Sequence, residues 1–182
     1  MKRIILVFAT ACMLLSCGKK AVSTEKETAN DIAENAENLQ IYTNDKYGFS
    51  VSLPAELKRS ESLITGDDDS AIYYTPDTEE GGICLNRVDI GGSKQIFDEV
   101  YTPEKVKEEF ENDTSGKEGL LKKECKDMEF SYYITGEYVT EIHRCVYSGT
   151  KKAEVIVCFE KDHESQLGGD IAEKILASLK FK

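Results

Sequence analysis

Tyr47, Phe49, Val51 and Leu53 alternate with Gly48, Ser50 and Ser52, and Pro54 closes the run. Period two with small polar partners predicts a half-buried strand, because successive side chains leave opposite faces of a pleated backbone. Proline has no donor for a ladder and stops it. Gly66 with Asp67-Asp68-Asp69 marks a turn, and 71–75 and 83–90 read as further strands around a loop at 76–82. Thr102-Pro103-Glu104 announces a helix, with Thr102 as N-cap, Pro103 at the first helical position and acids in the first turn. Val106 and Phe110 lie one turn apart on its apolar face, and 112–119 ends it.

Three strands then read as a meander. Met128, Phe130, Tyr132 and Ile134 share one face of the first. Thr135-Gly136-Glu137 fits a three-residue hairpin loop with Gly136 left-handed. The second strand runs over about 138–147, Ser148-Gly149-Thr150-Lys151 turns the chain, and 153–160 is the third. Asp170 with Glu173 resembles a capping box, after which Ile171, Ile175, Leu176 and Leu179 stripe a last helix.

Aligning apolar faces sets Phe130 opposite Ile142 and Val146 opposite Val157. In that register Cys145 faces Cys158, and Cys125 shares their sheet face. Cys145–Cys158 is then the first candidate disulfide, leaving Cys84 with Cys125; buried free thiols are the alternative. Four cysteines allow three connectivities, so spacing alone does not choose.

The N-terminus carries the most specific signal. Lys2 and Arg3 precede an apolar stretch from Ile4 to Leu15, about a dozen residues where a membrane-spanning helix needs roughly 20. Leu14-Leu15-Ser16-Cys17 resembles the lipobox of bacterial lipoproteins, with cleavage after Ser16 and acylation of Cys17. Two or more acyl chains hold a protein stably to a bilayer, at roughly 0.8 kcal/mol per buried CH₂. The resemblance implies a cell-envelope protein, and Gly18, where retained inner-membrane lipoproteins often carry aspartate, leans toward the outer membrane. Residues 18–40 are polar and read as a tether spanning roughly 25 Å on average and up to about 80 Å when stretched. The globular domain is expected over 41–182.

Charge and cysteine content narrow the partners. The net charge is −11, and losing Lys2 and Arg3 with the leader makes the mature chain more acidic by two charges. Such a surface repels nucleic acid and anionic head groups. Cys12 leaves with the leader and Cys17 is lipidated. An even set remains for an oxidising compartment, with no CxxC spacing to suggest zinc or thioredoxin-like chemistry.

Candidate chemistry is sparse. His143 and His163 show neither HxxxH nor HExxH spacing, and no GxSxG elbow exists, so no catalytic residue, metal or cofactor is assigned. An EF-hand loop begun at Asp67 would put Ile72 where glycine is required. Asp69-Ser70-Ala71 resembles an Asp-Ser/Thr-apolar glycosylation sequon. The pairs Gly81-Gly82, Gly91-Gly92 and Gly168-Gly169 lack a P-loop lysine and read as turns. Tyr73, Tyr74, Tyr132, Tyr133, Tyr138 and Tyr147 lie on strands. Adjacent rings there must take opposite faces, which suggests a tyrosine-lined surface or groove.

Asn44-Asp45-Lys46-Tyr47-Gly48-Phe49-Ser50-Val51-Ser52-Leu53-Pro54 resembles the opening strand of Mog1/PsbP-like domains, and Ser178-Leu179-Lys180-Phe181 is similar to their closing S-[FL]-x-F. The resemblance implies an α+β fold, an α/β/α sandwich around a central antiparallel sheet, in relatives that mostly bind or assemble and share no catalytic set. The expected function is a membrane-anchored, non-enzymatic binding or assembly module of the envelope, with a protein partner and no nucleic acid. The alternatives are a small envelope hydrolase or metal-dependent enzyme, using His143 or His163 as base or ligand, and a purely structural lipoprotein.

Overall fold

The computed structural model describes residues 38–61, 70–75, 86–161 and 167–182. The lipobox, Cys17, most of the tether, Asp67 to Asp69, Gly81-Gly82, Cys84 and His163 lie outside the described residues. Ten strands and two helices are present among them: β1 Leu39–Asn44, β2 Phe49–Pro54, β3 Lys58–Arg59, β4 Ser70–Tyr74, β5 Arg87–Lys94, α1 Pro103–Thr114, β6 Leu120–Lys126, β7 Glu129–Thr135, β8 Val139–Ser148, β9 Lys151–Glu160, α2 Gly169–Ser178 and β10 Lys180–Phe181.

Seven strands form one sheet in the order β3-β4-β5-β9-β8-β7-β6, and β1-β2-β10 form a second. Every strand pair is antiparallel. The small sheet and α2 close one face of the large sheet over a core that includes Phe49, Val51, Leu53, Val88, Ile90, Val155, Val157, Ile175 and Leu176. On the other face α1 packs Val106 and Phe110 against Phe130, Tyr132, Cys145 and Tyr147. This is the expected α+β sandwich around an antiparallel sheet.

The two motif-bearing ends meet, which explains their residue types. Asn44 Oδ1 accepts from the Tyr47 amide at 2.9 Å, and the Gly48 amide donates to the Asn44 carbonyl at 2.8 Å. That tight turn holds Gly48 at φ +76°, a conformation costly for any residue with a Cβ. β10 then pairs with β2, setting Phe181 opposite Phe49. Ser178 Oγ accepts from the Ser52 amide at 2.8 Å and donates to the Ile175 carbonyl at 2.6 Å, pinning the end of α2 to β2.

Several local expectations are corrected. β1 begins at Leu39, ahead of the expected domain start, and turns Gln40, Tyr42 and Asn44 inward while Leu39 and Ile41 face solvent. Gln40 Nε2 meets the carbonyls of Pro54 and Leu57 at 2.9 and 2.7 Å, so an inward polar side chain is satisfied. β6 escaped the hydrophobic pattern because it is a lysine-rich edge strand, the composition that keeps an edge from pairing with other chains. Gly91-Gly92 are not a turn; β5 runs through both to Lys94. Gly136 is not left-handed, and the hairpin closes through the Gly136 amide on the Val139 carbonyl. The last helix has no capping box: Gly168 is its N-cap, and Asp170 lies in the first turn.

The register also differs. Phe130 pairs with Cys145 rather than Ile142, and Val146 pairs with Ala153 rather than Val157. Cys145 therefore faces Glu154, while Cys158 faces Glu141. Glu154 and Cys158 are four residues apart on β9, about 13 Å at a strand's rise, where a disulfide needs Cα atoms within about 7 Å. The register overturns the Cys145–Cys158 bridge, and among the described residues Cys125, Cys145 and Cys158 form no disulfide with one another. The partner proposed for Cys125, Cys84, lies outside the described residues.

Candidate functional site

Register assembles a polar surface on the α1 side of the large sheet. Strand alternation puts Asp89 of β5, His143 and Cys145 of β8 and Glu154 of β9 on one face, with Arg87, Glu141, Lys152 and Ile156 beside them. Among the described elements α1 packs on this face, over its β6–β7 end.

Toward β4 the face forms a shallow groove of about 270 Å³, lined by Ser70, Ile72, Asp89, Gly91, Glu154 and Ile156 with the backbone of Ala71 and Ile90. Gly91 is its floor: a Cβ there would meet nothing within 4 Å. Asp89 pairs with Arg87, Nε to Oδ2 at 3.0 Å. Burial pushes the Asp89 carboxyl above its ordinary range, against the opposing pull of Arg87. The groove is thus a small trough whose mixed lining includes two carboxylates, Asp89 and Glu154, suited to a cationic head on an aliphatic stem.

Glu154 also belongs to a tighter cluster under the end of α1. Ligand atoms of Asp113, Cys145 and Glu154 lie within 4.8 Å of one another. Burial alone would raise the Glu154 carboxyl, yet His143, Lys152 and Cys145 beside it hold it low. Burial pushes the Cys145 thiol well up, and Glu154 adds to this. Lys152 keeps its proton despite burial because Cys145, Glu154, Glu109 and Asp113 surround it. Its Nζ is 3.7 Å from Glu109, which also accepts from Tyr147 Oη at 2.8 Å.

His143 is buried, its ring stacked on Tyr132 with centroids 4.3 Å apart and planes 17° from parallel. Nε2 lies 3.2 Å from Glu141 Oε2. An ionised carboxylate only accepts, so Nε2 carries the hydrogen and donates. Nδ1 is buried with no hydrogen-bond partner, 3.8 Å from Glu154 Oε1.

Of the residues singled out from sequence, the structure brings His143, Cys145, Gly91, Ser70 and Ala71 into this surface. Cys158 shares the face but lies farther along β9, and Cys125 sits on β6 at the edge of the smaller core. The tyrosine surface is not formed: Tyr73, Tyr74, Tyr132 and Tyr147 are buried, and Tyr138 alone of the six is well exposed. Asp89, Asp113 and Glu154 were missed. The available signal was a charge inside an apolar strand, as at Glu154 between Ala153 and Val155.

No protein-family model matches the sequence, and no curated protein matches it. Among solved structures, the chain resembles cyanobacterial PsbP (CyanoP) from Synechocystis, at 12% identity and TM-score 0.55 over 93% of this chain and 99% of that one. A protein from Bacteroides thetaiotaomicron matches at 18% identity and TM-score 0.50, over 79% of this chain and 48% of that chain. The Ran-binding protein Mog1p of Saccharomyces cerevisiae matches at 8% identity and TM-score 0.47, over 79% of this chain and 95% of that one. The likeness to CyanoP carries the assignment: the domain has a Mog1/PsbP-like fold.

Proposed function

We propose that this protein is a lipid-anchored, non-enzymatic binding module of the cell envelope. Cys17 tethers it to a membrane, the outer one in a two-membrane host, and the groove between Asp89 and Glu154 takes a lysine or arginine side chain of a protein partner. The lipobox supports the anchor. The observation that carries the binding reading is the pair of carboxylates, Asp89 and Glu154, in the lining of a trough floored by Gly91. Cationic partners also suit the net charge of −11, which speeds their encounter.

Titration with a short lysine- and arginine-containing peptide, followed by amide NMR, tests this. Shifts are expected at 70–72, 89–91 and 154–156, weakened in Asp89→Asn and lost in Gly91→Leu, which fills the trough from its floor. Shifts scattered over the acidic surface and indifferent to Gly91→Leu would sink the reading.

A further inference from the structure

We propose that Asp113, His143, Cys145 and Glu154 form a binding site for a divalent transition-metal ion of the zinc class. The site lies where the last turn of α1 meets the large sheet. Cys145 and Glu154 are cross-strand partners, which sets their Cβ atoms about 5 Å apart. His143 is two residues from Cys145 and so on the same face, and Asp113 comes down from the helix.

The donor set fits in kind, and three of its four members fit in spacing, His143 reaching the group through Glu154. Ligand atoms around a tetrahedral zinc lie about 3.3–3.8 Å apart, given metal–ligand bonds of about 2.0–2.3 Å. Asp113, Cys145 and Glu154 already fall within 4.8 Å of one another, so closure asks only for side-chain adjustment. Thiolate and imidazole favour zinc or cobalt over magnesium or calcium.

The second observation is independent of the cluster. His143 is 6% exposed, and its Nδ1 has no hydrogen-bond partner. With hydrogen on Nε2, Nδ1 presents a lone pair toward the Glu154 carboxylate 3.8 Å away. A lone pair facing a carboxylate in a buried place calls for positive charge between them, supplied by a second ring proton or by a metal ion. Glu141, holding Nε2, is the carboxylate that fixes the ring of a metal-bound histidine. Lys152, the neighbouring cation, has its Nζ 3.7 Å from Glu109 and acts also on Cys145, Glu154 and Asp113. On binding, the Cys145 S–H bond breaks, its proton goes to solvent and an Sγ–metal bond forms.

The site shares Glu154 with the peptide groove but not Asp89 or Gly91, so the cobalt band and the Gly91→Leu titration fail separately. Cobalt(II) added to the purified folded protein is expected to give a thiolate-to-cobalt charge-transfer band, erased by equimolar zinc and untouched by magnesium. Asp113→Asn weakens binding, Cys145→Ser removes the band, and Cys125→Ser and Cys158→Ser keep it. Glu141→Gln costs about 10- to 100-fold in affinity. Zinc moves the ¹⁵N resonance of His143 Nδ1. Circular dichroism and amide NMR confirm each variant's fold, and Asp113→Asn, at a half-buried helix position, decides the matter should Cys145→Ser unfold. Absence of the band, its survival in both Asp113→Asn and Cys145→Ser, or a doubly protonated His143 ring indifferent to zinc would overturn the site.

Discussion

Gly92 on β5 lies directly beneath the ring of Tyr47: a Cβ at Gly92 would fall 2.5 Å from Tyr47 Cδ2, and 2.7 Å from Phe49 Cε1. The small sheet rests its aromatic rings on this bare stretch of the large one. Gly92→Ala is expected to destabilise the domain by about 1–3 kcal/mol, the range for overpacking. Gly91→Ala, one residue earlier and facing open space, stays within about 0.5 kcal/mol of the parent. Urea unfolding of the two variants side by side checks this, and equal losses would refute the packing argument.

Arg144 ties α2 to the meander. Its Nη1 donates to the Leu176 carbonyl at 2.6 Å and its Nη2 to Glu129 at 2.6 Å. A helix end leaves carbonyls without intrahelical partners, and a cation there also meets the favourable end of the dipole. Arg144→Ala should cost about 1–3 kcal/mol, the range for a hydrogen bond to a charged group. Arg144→Lys recovers part of it, since an ammonium cannot span both partners in the same fork. Thermal unfolding of both variants reads the difference.

Alkaline pH should weaken the fold. Burial pushes the Cys158 thiol from an ordinary 9.0 up to about 11. Burial likewise raises the Cys145 thiol and the phenols of Tyr132 and Tyr147. For these groups the native state keeps protons that the unfolded chain releases. Stability is therefore full below pH 9 and falls as pH rises from about 9 toward 11 and beyond. Urea midpoints measured from pH 8 to 11 should decline throughout, and a flat profile would contradict the buried, protonated assignment.

Thiol chemistry follows the register. Cys145 and Cys158 are buried, whereas Cys125 is partly exposed on the edge strand. Near pH 8 a group with a pKa near 11 has about one thiolate in a thousand. Alkylation of the native protein, read by peptide mass mapping, should label Cys125 before Cys145 and Cys158. A Cys145–Cys158 linked peptide under non-reducing conditions would show that the observed register is wrong.

The anchor has its own test. Cys17→Ala should leave an uncleaved leader and no fatty adduct, whereas the parent loses residues 1–16 and gains the mass of its acyl chains. Intact mass of the membrane-extracted protein distinguishes them, and an unmodified Cys17 in the parent would remove the envelope reading.

How much was legible is clearest in β7 and β8. Their alternation was plain, but aligning Phe130 with Ile142 assumed that one face is apolar and the other wet. Both faces are covered: Phe130 packs under α1, and Ile142 joins the larger core. Alternation then no longer says which way a strand faces. Val146 and Val157 do share a face, yet they sit four residues out of register, because period two fixes alignment only to multiples of two. The two-residue loop Gly149-Thr150, with Gly149 at φ +59°, sets the actual pairing.

Sequence by itself determined the leader pattern, the two motif-bearing ends, α1 with its Thr102 cap, and the stripe of α2. These are local properties, written in neighbouring residues by charge, periodicity and backbone chemistry. Tertiary structure decided which strands are neighbours, and therefore that Glu154 faces Cys145, that Gly91 floors a groove and that Gly92 receives Tyr47. Those outcomes depend on contacts between residues far apart in the chain, whose energies register only once turns, sheet order and the packing of both faces are settled together.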